Sequence, residues 1–213
     1  MNYASALCAL SMFGFSTAAA LADPAPAMPR VIPFGTKDVT KAIAGDYTLD
    51  PNHAAVLVRV SHLDFSVSVF RFDKVQGKLT WDPAAISKSQ LSAAVDTGSI
   101  ATNVAGFATD LAGDNYLKST KYPQATFVSN AFRQDDATHG KVDGQFTLLG
   151  KTVPVTFDVT LIGAGPGFAG GPVMGHVIGI HAESAINPQD FGLPAFFKEP
   201  IQIVIDTEFD KKS

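Results

Sequence analysis

The sequence predicts an all-β protein built on one antiparallel sheet, closed as a barrel or folded as a sandwich. Three observations lead there. From Tyr47 onward, apolar and polar residues alternate with a period of two, the signature of a strand. The alternating segments follow one another at hairpin spacing. No helix-length pattern separates consecutive segments, as it would in a parallel α/β sheet.

In the first segment Val56, Val58 and Val60 share one face, while Leu57, Arg59 and Ser61 take the other. The stretch FSVSVFRF (65–72) comes next. Alternation leaves its faces ambiguous, because Phe70 and Phe72 oppose Phe65 and Val67. VQGKLTW (75–81) and QLSAAVD (90–96) follow, then ATFVSNAF, in which Phe127 opposes Val128. KVDGQFTLLG and KTVPVTFDVTLIG form a predicted hairpin, with Gly150-Lys151 as a Gly-X pair suited to a two-residue type II′ turn. A glycine-rich loop over Ala164 to Pro172 leads to VMGHVIGIHAESAI and finally IQIVIDTEF. The count is eight or nine strands. The exception is FATDLAGDNYLKSTKYP, where Thr109 and Asp110 start a predicted short helix through Leu117 that Pro123 shuts off.

Before these strands lies a different kind of sequence. Residues 1–22 are apolar and uncharged and end in Ala20-Leu21-Ala22, the small-x-small pattern of a secretory cleavage site. Cleavage there removes Cys8, the chain's one cysteine, so thiolate catalysis and cysteine-metal sites are not expected. Ser5-Ala6-Leu7-Cys8 is a poor lipoprotein box. Residues 23–45 form a Pro- and Ala-containing leader without a period, and 46–213 read as one domain. The expected location is the periplasm or the exterior.

Composition excludes some function classes. The net charge of −4 leaves no basic footprint for nucleic acid. Sixteen phenylalanines against one tryptophan and four tyrosines supply apolar bulk without polar handles. Such residues suit a packed core and suit the wall of an apolar tunnel equally well.

The histidines do not form a recognisable metal set. His53 and His62 are nine apart, and His176 and His181 five apart, so an unbroken strand sends each pair to opposite faces. Zinc sites favour same-face spacing and a third ligand. A bulge is the one device that would alter this parity. The simpler expectation is that His53 and His62 sit at strand ends and tie loops down by hydrogen bonds. There is no G-x-S-x-G elbow, Asp190-Phe191-Gly192 reads as turn chemistry, and the glycines after Gly163 join two strands rather than a strand to a helix.

Several motifs occur together in one order: DPNHAAVLVRVSHL with the run to Phe72, SIATN, DLAGDNYLKSTKYPQATF, GQFTLLGKTVPVTFDV and INPQDFGL. In this the chain resembles the YceI-like family of periplasmic, lipocalin-like proteins, from about Tyr47 to Phe209. His53 and His62 match the two family histidines, Tyr122-Pro123 its aromatic-Pro pair, and Gly144 to Gly150 its hairpin. Two positions depart. Pro188 stands where the family has Arg, and Phe70 where it has Gly. The resemblance implies an extended antiparallel eight-stranded lipocalin-like barrel with a short helix near one end. It also implies non-covalent binding of a long isoprenoid, quinone or other lipid inside the barrel.

Combined with the alternation, it assigns Val56, Val58, Val60, Phe72, Phe127, Phe146, Leu148, Phe157, Ile178, Ile180 and Ile203 to a ligand-binding interior. No cofactor, metal or catalytic residue is expected. The partners expected are a long-chain lipid and a membrane donor or acceptor, with a homodimer left open. Two alternatives stand beside this carrier or reservoir. One is a barrel hydrolase or isomerase using His62, His53 or Asp190, and the other is a stress-related protein-binding scaffold. The export reading predicts a mature N-terminus at Asp23. N-terminal sequencing that finds Met1 on membrane-bound protein refutes it.

Overall fold

A computed structural model describes residues 31–212. The predicted cleavage site after Ala22, Cys8 and the first part of the leader lie outside the described residues. The strands are β1 (Gly45–His62), β2 (Ser66–Phe72), β3 (Val75–Trp81), β4 (Gln90–Asp96), β5 (Ile100–Ala101), β6 (Gln124–Gln134), β7 (His139–Leu148), β8 (Lys151–Phe168), β9 (Met174–Ile186) and β10 (Ile201–Lys212). Two short helices, α1 (Phe107–Ala112) and α2 (Pro188–Phe191), interrupt them. All pairings are antiparallel, and β10 returns to β1, so β1, β3, β4 and β6 to β10 close an eight-stranded barrel. The remaining two, β2 and β5, form a flap on β1.

The long first strand organises the closure. One edge of β1 follows β10 from Thr48↔Asp210 to Arg59↔Gln202. Its other edge is divided. Residues 45–48 pair with β3, and residues 56–62 pair with β2. Register places Phe70 and Phe72 beside Val58 and Val56, which settles the ambiguous faces: the phenylalanines point inward and Val67 and Val69 outward.

Two apolar clusters fill the barrel from its ends. One gathers Phe127, Phe157, Leu148, Ile203 and Phe191 near the β7–β8 turn, with Phe127 and Phe157 edge-on at 5.1 Å. The other gathers Tyr47, Leu49, Trp81, Leu161 and Phe209 at the opposite end. Leu91, Phe132 and Ile180 touch both. The described part of the leader covers one side of this second end. Thr36 pairs with Ala164, a 3-10 turn covers Val39–Lys41, and Ala42 is fully buried. Tyr47 donates its hydroxyl to Ile43 O at 2.7 Å, and burial pushes that phenol up to about 12.

Three local expectations are corrected. The β7–β8 turn residues are Leu149 and Gly150, both with positive φ, as a type I′ turn requires, and Lys151 already pairs with Leu148. The glycine-rich loop is mostly strand. β8 runs to Phe168, because Gly163 lets the leader backbone cross it, and a Cβ there would lie 3.2 Å from Gly35 Cα. The helix begins at Phe107 and ends at Ala112, since Gly113 follows and Leu117 N–H bonds back to Leu111 O.

Gly144 is one of the tightly packed positions of the sheet. A Cβ there would meet the Phe127 ring and lie 2.5 Å from Val128 O. Gly144→Ala is therefore expected to cost about 1–3 kcal/mol of stability. Urea unfolding checks it, and an unchanged midpoint means the β6–β7 ladder yields more easily than its geometry implies.

Candidate functional site

Inside the barrel, between the two clusters, is a cavity of about 210 Å³. Its wall is built by the inward alternation of all eight barrel strands. Val56, Phe127, Phe146 and Phe157 line it, and so do Ile178, Ile180 and Ile203. The other four residues assigned to the interior stand outside it. Val58 and Val60 pack half-buried against the first cluster, where β1 has left β3 for β2. Phe72 is half-buried opposite Val56 and Ile100, and Leu148 is buried beside the β7–β8 turn.

Sequence reasoning missed Phe132, Leu91, Trp81, Val39 and Ile86, all of which also line the cavity. Phe132 has the wrong parity relative to Phe127. The register shift between Ser129 and Ala131 inserts one residue and reverses the faces beyond it. Ile86 and Val39 belong to 3-10 turns, which no period-two scan detects.

The cavity reaches solvent at the β6–β7 hairpin, where the lining residues Gln134, Asp136, Ala137 and His139 are exposed. Its titratable lining residues, Arg133, Asp136, His139 and Lys141, all lie at this hairpin and all are paired. Arg133 donates twice to Asp143 at 2.7 Å, and Lys141 pairs with Asp158. Asp136 accepts hydrogen bonds from the Thr138 backbone N–H and from the ring and backbone of His139, which hold its carboxyl down at about 2. The deeper wall is apolar apart from Thr126 and Thr207.

The histidines behave differently from one another. His62 ends β1, as expected, and its carbonyl accepts the Phe65 N–H at the turn. His53 is not at a strand end. Between Leu49↔Phe209 and Ala54↔Thr207, four residues of β1 face one of β10, and this bulge holds His53. In an unbroken strand these groups would stand apart, and the bulge brings them together. One ligand atom from each of Asp50, His53 and Glu208 lies within 4.8 Å of the others. Both Asp50 oxygens are already engaged. Oδ1 accepts Asn52 N–H at 2.9 Å, and Oδ2 is 2.7 Å from His53 Nδ1. The Asp50 side chain is only 3% exposed, so the trio works as a hydrogen-bonded staple for the bulge. Burial pushes Asp50 up, but the His53 and Asn52 hydrogen bonds together hold it below its ordinary value. The Asp50 hydrogen bond raises His53.

Of the residues offered for the enzyme alternative, His53 and His62 do not meet. Nine steps of extended strand, roughly 30 Å at about 3.3 Å each, separate His53 from His62. Asp190 lies on α2, where its Oδ1 accepts from Asn187 Nδ2. The remaining pair, His176 and His181, also diverges. His181 bonds Asp206 at 2.7 Å and approaches Glu183 at 3.1 Å, while His176 Nδ1 is buried without a partner.

Beside the staple, Asp210 Oδ1 is buried without a hydrogen-bond partner. Its carboxyl is pushed up to about 6, first by burial and then by the charges of Asp50 and Glu208, against the opposing Gly170 N–H and His53. A folded-state value above the ordinary 3.8 means that ionising Asp210 opposes folding. The stability present below pH 4 is thus lost as pH rises through about 6. Asp210→Asn removes that penalty. The variant is expected to melt above wild type at pH 7–8, with the difference closing near pH 4. A gap independent of pH in thermal melts would contradict this.

The comparisons with known proteins agree with the barrel. The family model described as YceI-like domain matches residues 47–209. A UPF0312 protein of Pseudomonas putida is 33% identical over 172 residues, covering 79% of this chain and 88% of its own. The crystal structure of Burkholderia cenocepacia BcnA superposes with a TM-score of 0.65 at 22% identity, over 75% of this chain and 98% of that one. A polyisoprenoid-binding domain from Saccharophagus degradans superposes with a TM-score of 0.52 at 14% identity, over 77% and 97%. The family model spans most of the chain, and the P. putida protein adds a relative of like length. This chain belongs to the YceI-like family.

Proposed function

We propose that this protein is an exported carrier or reservoir that holds the apolar tail of a long-chain lipid, such as an isoprenoid or quinone, without covalent attachment. The observation that carries the reading is the barrel cavity: aliphatic and aromatic walls, with every titratable lining residue confined to its mouth. The S. degradans neighbour, described as polyisoprenoid-binding, supports the ligand class. Each methylene transferred from water to such a wall contributes about 0.8 kcal/mol, so about ten give on the order of 8 kcal/mol before ordering costs. The cavity is smaller than the roughly 300–1,000 Å³ usual for ligand pockets. It takes the end of a tail, and a longer chain leaves through the mouth between the β6–β7 hairpin and the turns that carry Val39 and Ile86. No cofactor beyond the bound lipid is part of this reading, and a membrane serves as donor or acceptor.

Organic extraction of the purified protein followed by mass spectrometry tests it, with a stoichiometric lipid as the expected result. An empty barrel after mild purification and after incubation with isoprenoid lipid counts against the carrier. Phe146→Asp sets a carboxylate among apolar walls and beside the Phe191 ring, 5.5 Å away. It is expected to lower both lipid occupancy and melting temperature. His53→Gln and His62→Gln should each keep the lipid, with a stability loss of about 1 kcal/mol at most. Stoichiometric zinc or iron in wild type, lost on either replacement, would convert the staple into a metal site and overturn the reading.

A further inference from the structure

The leader reaches the cavity mouth along an edge that β7 leaves open. β7 begins at His139, which pairs with Thr160, while β8 continues to Phe168. Past Leu161, whose N–H donates to Thr138 O, both backbone groups of Ala164 bond Thr36 instead, at 3.0 and 2.8 Å. Three residues further on, Val39 lines the cavity. The family model begins at Tyr47, so this strap lies outside the matched segment.

Immediately before that bridge, the leader turns large apolar side chains to solvent. Val31 is 78% exposed, Ile32 59% and Phe34 84%. They do not form a docking strand. Among the described residues no hydrogen bond holds residues 31–35, and Pro33 lacks the donor that sheet pairing needs. Val173, half exposed in the β8–β9 turn, emerges at the same end of the barrel.

Charge frames the segment. The uncharged run VIPFGT is flanked by Arg30 and Lys37. On the other turn of the mouth, Lys88 follows the cavity-lining Ile86, and Lys211 and Lys212 end β10 at this end. Lys37, Lys88, Lys211 and Lys212 have no ion pair among the described residues. Carboxylates here are committed locally. Asp38 accepts from Thr40 and pairs with Lys41, Asp82 accepts the Ala84 and Ala85 N–H groups, and Asp136 holds the β6–β7 hairpin.

We infer that leader residues 31–34 dock the barrel mouth onto an anionic lipid bilayer, with the apolar side chains in the acyl boundary and the unpaired lysines against headgroup phosphates. Binding of this kind grows with the apolar area buried and with cations near the surface. The inference rests on the carrier reading, because a tail that leaves by this mouth enters a membrane held against it without crossing water. Recognition by a protein groove commonly uses a regular strand or helix, and this segment is neither.

Co-sedimentation of the exported chain, freed of residues 1–22, with lipid vesicles tests this. Wild type is expected to bind vesicles of equal parts phosphatidylglycerol and phosphatidylcholine roughly tenfold more tightly than phosphatidylcholine alone, a preference that fades with added salt. Ile32→Ser/Phe34→Ser should weaken that binding by roughly tenfold with the melting temperature unchanged, and Lys37→Gln by about fivefold. Phe65→Ser, which removes an 85% exposed ring at the opposite end, should leave it unchanged. Filling the barrel with isoprenoid lipid from detergent reads the carrier separately. A barrel that fills in a chain that ignores both vesicles overturns the docking and spares the carrier, whereas vesicle binding by a barrel that never fills supports the docking and overturns the carrier. Binding that survives Ile32→Ser/Phe34→Ser, or that Phe65→Ser abolishes, overturns the proposal. So does a photocrosslinker at position 34 that captures a protein and no lipid, which assigns the segment to a protein acceptor.

Discussion

The barrel depends on one strand meeting three partners. β1 must follow β10 along one edge while its other edge passes from β3 to β2. Side chains alternate strictly, so Leu49 and Val56, seven apart, would face opposite sides of an unbroken strand. Both are needed inside, and both line the cavity. The bulge resolves the conflict by setting four residues of β1 against one of β10, which reverses parity once. A bulge of that size exposes backbone groups that the ladder would have paired. Pro51 lacks a donor, Asn52 N–H goes to Asp50, and the His53 ring locks the other Asp50 oxygen. The DPNH stretch is therefore the condition for closing the sheet. Asp210, crowded against the same carboxylates, bears the electrostatic cost of that arrangement.

The same parity logic decides how much of this molecule its sequence reveals. Strand identity was legible nearly everywhere, because alternation is local and turns punctuate it. Inward faces were legible wherever a strand ran unbroken, as in Ile178 and Ile180, or Phe157 within β8. They were lost beyond each bulge. Asn130 is the extra residue that turns Phe132 inward against the count from Phe127, and Ile162, out of register and exposed, does the same for Ala164. Nothing about Asn130 or Ile162 marks it as a bulge, since the bulge answers to the partner strand's pairing rather than to its own side chain. The resemblance to a known family conveyed the barrel's closure, which no local pattern encodes. It did not convey which phenylalanines fill the core and which border a space.

That division has a physical basis. Phe191 and Phe146 stack edge to face at 5.5 Å, and Phe127 and Phe157 at 5.1 Å, so much of the aromatic content packs against itself. The cavity survives between two clusters because neither alone spans the barrel and only Leu91, Phe132 and Ile180 bridge them. At the second end Ala42 and Val39 cover one side of the opening, and the leader backbone passes close over Gly163.

Apart from Asp50 and Asp210 at the bulge, the charged pairs keep to the outer wall and the mouth. Arg133 with Asp143, Lys141 with Asp158, and His181 with Asp206 are all cross-strand pairs on the outer wall, where exposure makes each worth little but where they oppose register slip. Pro188 continues the pattern. At the position where the family carries an arginine, this chain has a buried proline in the first turn of α2, pre-set for the helix and packed at the closed end. Arg133 and Lys141 at the mouth are already paired and the deeper wall is apolar, so a carrier of the proposed kind would discriminate among guests only by length, girth and flexibility. Selection of that kind is broad, because adding or removing one methylene changes binding by only about 0.8 kcal/mol. The barrel's geometry therefore favours a class of apolar chains over any single member of it.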